Sequence, residues 1–572
     1  MTQAGIRTWG LAALAGALLC AAPPAGAADD GADLLARFAA AFGPGQPGAP
    51  PVPEGPARPD SCGTPLVRSY LARRAGLPPA TVLALDGALA VTDIVDTLRS
   101  DGGHFRLGYT LTGDNAVPAA DTDPADGVPD FVARVAAYLD AAWAAEFDEV
   151  GLLAPPDAAP IDVSFRRMHF YGYTVPVDPA AGTTRLVLNS AFTRFPPNDD
   201  PDGDVAGAIR VTAAHELRHA SQYAGSRWSE GDWTEMDATW VEERVCDGVN
   251  DYIHYLSGDS PVRRPEVALD GGPGGTGSYD DVVFEIWLGR RWGDALVREY
   301  WQRRRDHRDE PPLATWDAVL AQRETSLTAN WGEFIGWNYA TGERALPGVG
   351  YPDAARFPMS EPAVTFSEFP ATLSGSIEHL AAAPLRLAGL QPLGDRLVAI
   401  ELSGDDSPSP LALAVHASLD DGGGWLDQVG LDRHGHVRLV LPAPASRLRE
   451  VGLVIGNGSL DGPPRTFTIT VDTLAGAVAA PTGVVTAIEP NPCNAAAWLS
   501  CELSARADAT VDVLDAAGRR VRRLWDGVLG PGNHRFEWDG RDQDGRPAPA
   551  GVYLAYLRAS GSAHCRKLTL VR

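Results

Sequence analysis

The run VTAAHELRHASQY, Val211 to Tyr223, sets the strongest constraint on this chain. It contains His215, Glu216 and His219 in the order H-E-x-x-H. Residues i and i+4 share one face in an α-helix, where both imidazoles can point at a single ion. Glu216, one position on, can then reach a water beside that ion as general base. The residues before His215 are mainly apolar, as a buried helix requires. Two histidines leave the site incomplete, so a third ligand must come from another segment.

The next segment, RWSEGDWTEMDATWVEERVCDGVNDY, offers Glu230, Glu235, Glu242 and Glu243. Glu235 lies 16 residues beyond His219, enough for a helix end, a turn and one turn of a second helix. Ala238 is small and lets the two helices approach closely. Glu235 is therefore the expected ligand, with Glu242 as the alternative. Seven residues on and on the same face, Glu242 suits a carboxylate that accepts a ligand histidine N–H. Glu243 is rotated off that face, toward solvent. Two histidines, a glutamate and an open position form a catalytic zinc set, whereas a structural site closes its fourth position with protein. Carbonyl chemistry also needs a donor for the oxyanion. Tyr223, Tyr252, His254 and Tyr279 are candidates; Tyr279, which precedes a helix after a glycine-rich loop, is preferred as a catalytic residue.

H-E-x-x-H followed by W-x-E-x-x-A-x-W-x-E resembles the gluzincin metallopeptidases. In aminopeptidases of that clan the comparable W-x-x-E-G-x-A-x-[YF]-x-E carries the third zinc ligand, and Glu235 matches it. TAAHELRHASQY, WTEMDATWVEERV and VNDYIHYL more closely resemble the MXAN_6640-type metalloproteases of bacteria. Asp126 to Val132 and Tyr171 to Tyr173 match further segments of that pattern, and Glu243 stands where it has Asp. The resemblance spans roughly residues 100 to 345 and implies a fold and a clan, not a substrate.

A chain of 572 residues is too long for one core. Its net charge of −26 argues against nucleic acid or an anionic membrane as partner. Arg7, the apolar run Leu11 to Ala22 and the small residues Ala25 to Ala27 read as a secretory signal over 1–27. Residues 28–98 read as a loosely organised accessory segment or a propeptide, including a Pro/Gly linker from Gly43 to Asp60. Residues 99–345 mix strands and helices. From Pro352 the pattern turns to alternating or β-branched runs, a β-sandwich over 350–478, and 484–572 is again all β. EPNPCNAAAWLSCELSARADATVDVLDAAGRRVRRL and HRFEWDGRDQDGRPAPAGVY resemble the immunoglobulin-like module of flagellar-hook capping proteins and of C-terminal sorting domains. No stretch after the signal has the length and apolarity of a membrane span.

The expected architecture is thus an α+β zinc-metallopeptidase domain followed by two all-β sandwich domains. The expected function is that of a secreted, monomeric zinc endopeptidase acting on a protein or peptide substrate. The alternative is a catalytically inactive, zinc-containing surface or binding protein whose β domains mediate adhesion. Two acidic loops are candidate calcium sites. One holds Asp121, Asp123, Asp126 and Asp130; the other holds Asp199, Asp200, Asp202 and Asp204. Of the five cysteines beyond the signal, Cys493, Cys501 and Cys565 lie close enough in sequence for a local disulfide, and the odd count leaves one thiol over.

Overall fold

The structure, a computed structural model, describes residues 31–42, 62–193, 195–271, 278–404, 408–475, 483–494, 496–503, 506–515, 519–559 and 562–571. The expected signal segment and the Gly43 to Asp60 linker lie outside the described residues. The described residues fall into two compact units, one within 13–257 and 274–323, the other within 258–273 and 324–572. No helix among them is long and apolar enough to cross a membrane.

The first unit begins with α1 (Ala32–Phe42), α2 (Thr64–Arg73) and α3 (Pro79–Leu89). Leu34, Phe38, Val67, Tyr70 and Leu85 form a core that continues onto Phe170, Tyr173 and Val187. This segment is more ordered than its sequence suggests. The reason lies in α3, PATVLALDGAL, where apolar residues surround the helix and blur any single stripe.

Beyond it stands a five-stranded mixed sheet of order β1-β2-β3-β5-β4. Its strands are β1 (Asp96–Arg99), β2 (Phe105–Tyr109), β3 (Ile161–Arg166), β4 (Gly172–Asp178) and β5 (Thr183–Asn189). β2, β3 and β5 run parallel, joined between β2 and β3 by the crossover helix α4 (Asp130–Trp143). β4 returns antiparallel and forms one edge. α5 (Asp204–Ser226) packs on β4 and β5 and carries the H-E-x-x-H residues. It ends where Arg227 and Trp228 take left-handed backbone conformations, with φ of 62° and 58°. α6 (Trp233–Val245) then doubles back along it, followed by α7 (Val282–Trp292), α8 (Asp294–Asp306) and α9 (Pro312–Ala321).

The second unit opens with α10 (Leu327–Tyr339). Two sheets follow. Their strands are β6 (Val364–Phe366), β7 (Ala371–Ile377), β8 (Ala381–Leu387), β9 (Leu397–Gly404), β10 (Leu411–Leu419), β11 (Gly424–Val429), β12 (Val437–Pro444), β13 (Leu448–Asn457) and β14 (Arg465–Leu474). They pair in the orders β11-β10-β13-β8-β6 and β12-β9-β14-β7. Leu413, Val415, Leu453 and Ile455 fill the space between the sheets. The opposite face of β10 and β13 is covered by α10, so both strands are buried on both sides. Gly452 and Gly456 make that close approach feasible, since a Cβ at Gly452 would sit 2.1 Å from the Tyr339 ring.

The last module has β15 (Gly483–Glu489), β16 (Ala497–Leu503), β17 (Ala507–Asp515), β18 (Arg520–Leu529), β19 (Gly532–Trp538), β20 (Gly551–Ala559) and β21 (Ser562–Leu570). They form sheets β15-β16-β19 and β18-β17-β20-β21. The expected architecture of a mixed α/β region followed by separate β-sandwich domains is what the chain adopts. The local disulfide is not: Cys62, Cys246, Cys493, Cys501 and Cys565 are all free. Cys501 lies buried in β16, while Cys565 is exposed on β21 of the other sheet.

Gly452→Ala should cost about 1–3 kcal/mol by forcing a methyl into the Tyr339 ring. A lowered urea midpoint for the sandwich transition is the expected outcome; an unchanged midpoint would show that α10 is not seated in this groove.

Candidate metal centre

α5 presents His215 and His219 on one face, as the spacing requires, with ring centroids 4.6 Å apart. α6 brings Glu235 onto them: its Oε2 lies 3.3 Å from Nε2 of each histidine. Zn–N distances of 2.0–2.1 Å in a tetrahedron place neighbouring ligand atoms roughly 3.3–3.5 Å apart, so Glu235 already stands at metal-holding spacing from each histidine. Glu242 does not join them. Its Oε1 lies 2.6 Å from Nδ1 of His215, on the far side of the ring. His219 is held in the same way by Gln222, whose Oε1 lies 2.8 Å from Nδ1. Gln222 Nε2 in turn donates to Asp237 Oδ2 at 2.6 Å and to the Thr234 carbonyl at 2.9 Å. Each ligand histidine thus has its non-ligating nitrogen oriented by a neighbour, which fixes the ring and its tautomer.

Below this face Arg218 and Asp237 join α5 to α6 by a buried ion pair at 2.5 Å. Trp301 Nε1 donates to the other Asp237 oxygen at 2.6 Å. The α5–α6 angle, and with it the meeting of Glu235 with the histidines, is held by this cluster. Glu230 is occupied elsewhere, paired with Arg304 at 2.7 Å. Glu243 is buried and lies 3.7 Å from Arg290, rather than facing solvent.

A fourth donor completes the group: Cys62. Its Sγ and one ligand atom each from His215, His219 and Glu235 all lie within 4.8 Å of one another, and all four residues are buried. Sequence reasoning left Cys62 unassigned. The one signal was the odd cysteine count, which announces a spare thiol without saying where it goes. Cys62 reaches the site because it and Gly63 lie against the edge strand β4. Cys62 bridges Gly172 in parallel sense, and Gly63 N–H donates to the Gly172 carbonyl at 2.8 Å. Gly63 has to be small, as a Cβ there would stand 2.7 Å from the Phe170 ring.

Glu216 is not among the ligands. Its carboxylate accepts from Thr174 Oγ1 at 2.7 Å, from Thr64 Oγ1 at 3.4 Å and from Cys62 Sγ at 3.1 Å. Gly172 leaves room for it, since a Cβ there would come within 2.9 Å of the Glu216 side chain. The preferred tyrosine is also at the site. Tyr279 donates its hydroxyl to Glu235 Oε2, and its ring stacks on His215 with centroids 5.9 Å apart. Of the other donor candidates, Tyr223 packs against Trp228 with ring centroids 4.8 Å apart and His254 Nε2 lies 2.6 Å from the Pro197 carbonyl.

The chemistry of this donor set suits a cation. Two buried atoms, His219 Nε2 and Glu235 Oε1, make no hydrogen bond. Burial alone would depress both histidines. Yet Cys62, Glu235 and Glu242 hold His215 well above the usual histidine range, and Glu235 and Cys62 carry His219 up to about 10. Burial opposes the Glu235 carboxylate, but the two histidines keep it below the usual range. The neighbouring carboxylates thus favour positive charge at this spot, and the residues fit zinc.

Among the described residues this is the one such cluster. The calcium expectation finds no support in the acidic loops. Asp121 accepts from the Asp126 and Gly127 backbone N–H groups, and Asp130 from Thr122 and Asp123, so these carboxylates close the loop on itself. Asp200 and Asp202 both pair with Arg210.

Residues 494–562 match the family model described as the FlgD Ig-like domain. No curated protein matches the chain. Among solved structures, dimeric latent PorU from Porphyromonas gingivalis is 14% identical, over 30% of this chain and 19% of that one, with a TM-score of 0.16. PorZ, a surface component of the type-IX secretion system of the same organism, is 14% identical, over 27% and 22% of the two chains, with a TM-score of 0.15. This chain therefore spans about a fifth of each.

Glu242→Gln should weaken zinc binding about 10–100-fold by loosening His215. Competition against a chelator of known affinity measures this; unchanged affinity would show that Glu242 does not orient the ring.

Proposed function

We propose that this chain is a zinc-dependent endopeptidase, exported and acting on protein or peptide substrates, of the gluzincin kind its sequence resembles. The observation that carries the reading is the division of labour between neighbours on α5. His215 and His219 converge with Glu235, while Glu216, between them in sequence, is turned out of the ligand group. A purely structural metal site has no use for a buried carboxylate that neither binds the ion nor orients a ligand histidine.

Zinc held by His215, His219 and Glu235 supplies Lewis acidity, polarising a carbonyl and making water nucleophilic near neutral pH. Glu216 takes the proton of the attacking water and returns it to the leaving amine. Thr174, which donates to Glu216 at 2.7 Å, keeps that carboxylate aimed along β4. Tyr279 supplies a hydroxyl donor for the developing oxyanion. The edge of β4 offers backbone groups to an extended peptide, which fits cleavage within a chain. The adhesion alternative is favoured by one observation only, that Cys62 gives the cluster a fourth protein donor, as closed structural sites have.

The test uses the Cys62→Ala chain, in which that fourth donor is gone. Adding Glu216→Gln should leave zinc content intact and lower casein hydrolysis by about 10²–10⁴. Zinc retained with equal hydrolysis in both proteins would overturn the mechanism. In the same background Tyr279→Phe should lower kcat by roughly 10²–10³ with little change in KM. A change confined to KM would place Tyr279 in substrate binding instead.

A further inference from the structure

We infer that Cys62 is a latency lock: its sulfur takes the fourth place on the metal, and the segment carrying it lies where a peptide substrate would lie. This rests on the zinc-peptidase reading above and adds a regulatory role for residues that the reading does not use.

Three independent features carry it. The first is the donor geometry. The Cys62 sulfur closes the His215, His219, Glu235 group, with all four ligand atoms within 4.8 Å. The Thr64 backbone N–H points at the same sulfur at 3.2 Å and helps to hold it in place. The thiol already faces Glu216 at 3.1 Å. Were sulfur to bind a metal here, the S–H bond would break, the S–metal bond would form and Glu216, 3.1 Å away, would be the acceptor at hand for the proton. One residue would thereby fill the open position and occupy the base.

The second feature is the track. β4 is an edge strand, and an unpaired edge is where an extended peptide adds. Cys62 and Gly63 pair with that edge at Gly172, beside the metal ligands. Thr64 Oγ1 then accepts from the Thr174 N–H at 3.0 Å and donates to Glu216. Substrate and segment compete for the same backbone and the same carboxylate.

The third is anchorage at both walls. α2 begins directly after Cys62, and Val67 and Tyr70 bury against Phe170 and Tyr173. Arg68 reaches the other wall. It pairs with Asp232 and donates to the Gly231 carbonyl and to Thr234 Oγ1, at the start of the helix that carries Glu235. A permanent structural site would explain the sulfur, but neither the occupied strand edge nor the idle Glu216.

The experiment loads the full chain and Cys62→Ala with cobalt(II) in place of zinc, recording near-ultraviolet absorption, and assays casein hydrolysis by the zinc forms. The wild type should show a thiolate-to-cobalt charge-transfer band that Cys62→Ala lacks, with one metal bound per chain in both. Casein hydrolysis should rise on the order of tenfold or more in Cys62→Ala, as expected if under about one wild-type chain in ten is open. Metal bound without the band in the wild type would overturn the sulfur assignment and leave the zinc reading standing. The band with equal casein hydrolysis in both proteins would overturn the lock. Absence of metal from both proteins would overturn the zinc reading itself. Should Cys62→Ala fail to fold, Arg68→Ala keeps every ligand and loosens the segment. It should raise hydrolysis, and an unchanged rate would overturn the lock.

Discussion

The structure around α5 depends on a single electrostatic problem: Glu235 and Glu242 are buried against two histidines, and Glu216 is buried on the same helix. Carboxylates taken out of water cost several kcal/mol each unless paired. The fixed cations nearby are already engaged, Arg218 by Asp237 at 2.5 Å and Arg68 by Asp232. What remains is to charge the imidazoles or to bind an ion. The neighbouring carboxylates push both histidines upward, toward the first. The convergence of their Nε2 atoms on Glu235 Oε2 shows that the second is what the site is shaped for.

The sheet supplies the other half of the geometry. Edge strand β4 sets Gly172 and Thr174 on either side of the Glu216 carboxylate, one by leaving space and the other by donating a hydrogen bond. The same two residues receive the N-terminal segment, Gly172 through its carbonyl and Thr174 through its N–H. Binding at the strand edge and the environment of Glu216 are therefore coupled through two alternate positions of one strand. The coupling is local and needs no movement of α5 or α6.

Where a residue type and a helical period jointly limit the options, the sequence was readable. His215 and His219 share a face because i and i+4 do, and Glu216 is one position on. Glu235 was reachable because a turn and one helical turn fit within 16 residues. The role of Glu242 followed from its place seven residues further along that face. The sandwich strands showed in their alternation, except where α10 covers β10 and β13 and turns alternation into continuous apolar runs. Contacts between segments distant in the chain were not legible. Cys62 lies 154 residues from Glu216, and no local periodicity reports a contact of that range. Gln222 was missed for a different reason, because a glutamine three residues after a ligand also suits an exposed helix face. The acidic loops misled because Asp serves turns and helix starts as readily as it serves calcium.

The burial of Glu216 bears on why the N-terminal segment is where it is. A buried carboxylate is tolerated when donors satisfy it. Three donors reach Glu216, and two of them, Cys62 Sγ and Thr64 Oγ1, belong to the segment before the sheet. Without that segment only Thr174 remains, and the carboxylate would need water to make good the loss. Water at that position is what a general base requires. The features that keep Glu216 dry in this state are thus the ones whose departure would hydrate it. On the proposed reading the segment stands in for substrate on the strand edge and for water at Glu216, and a single displacement would reverse both.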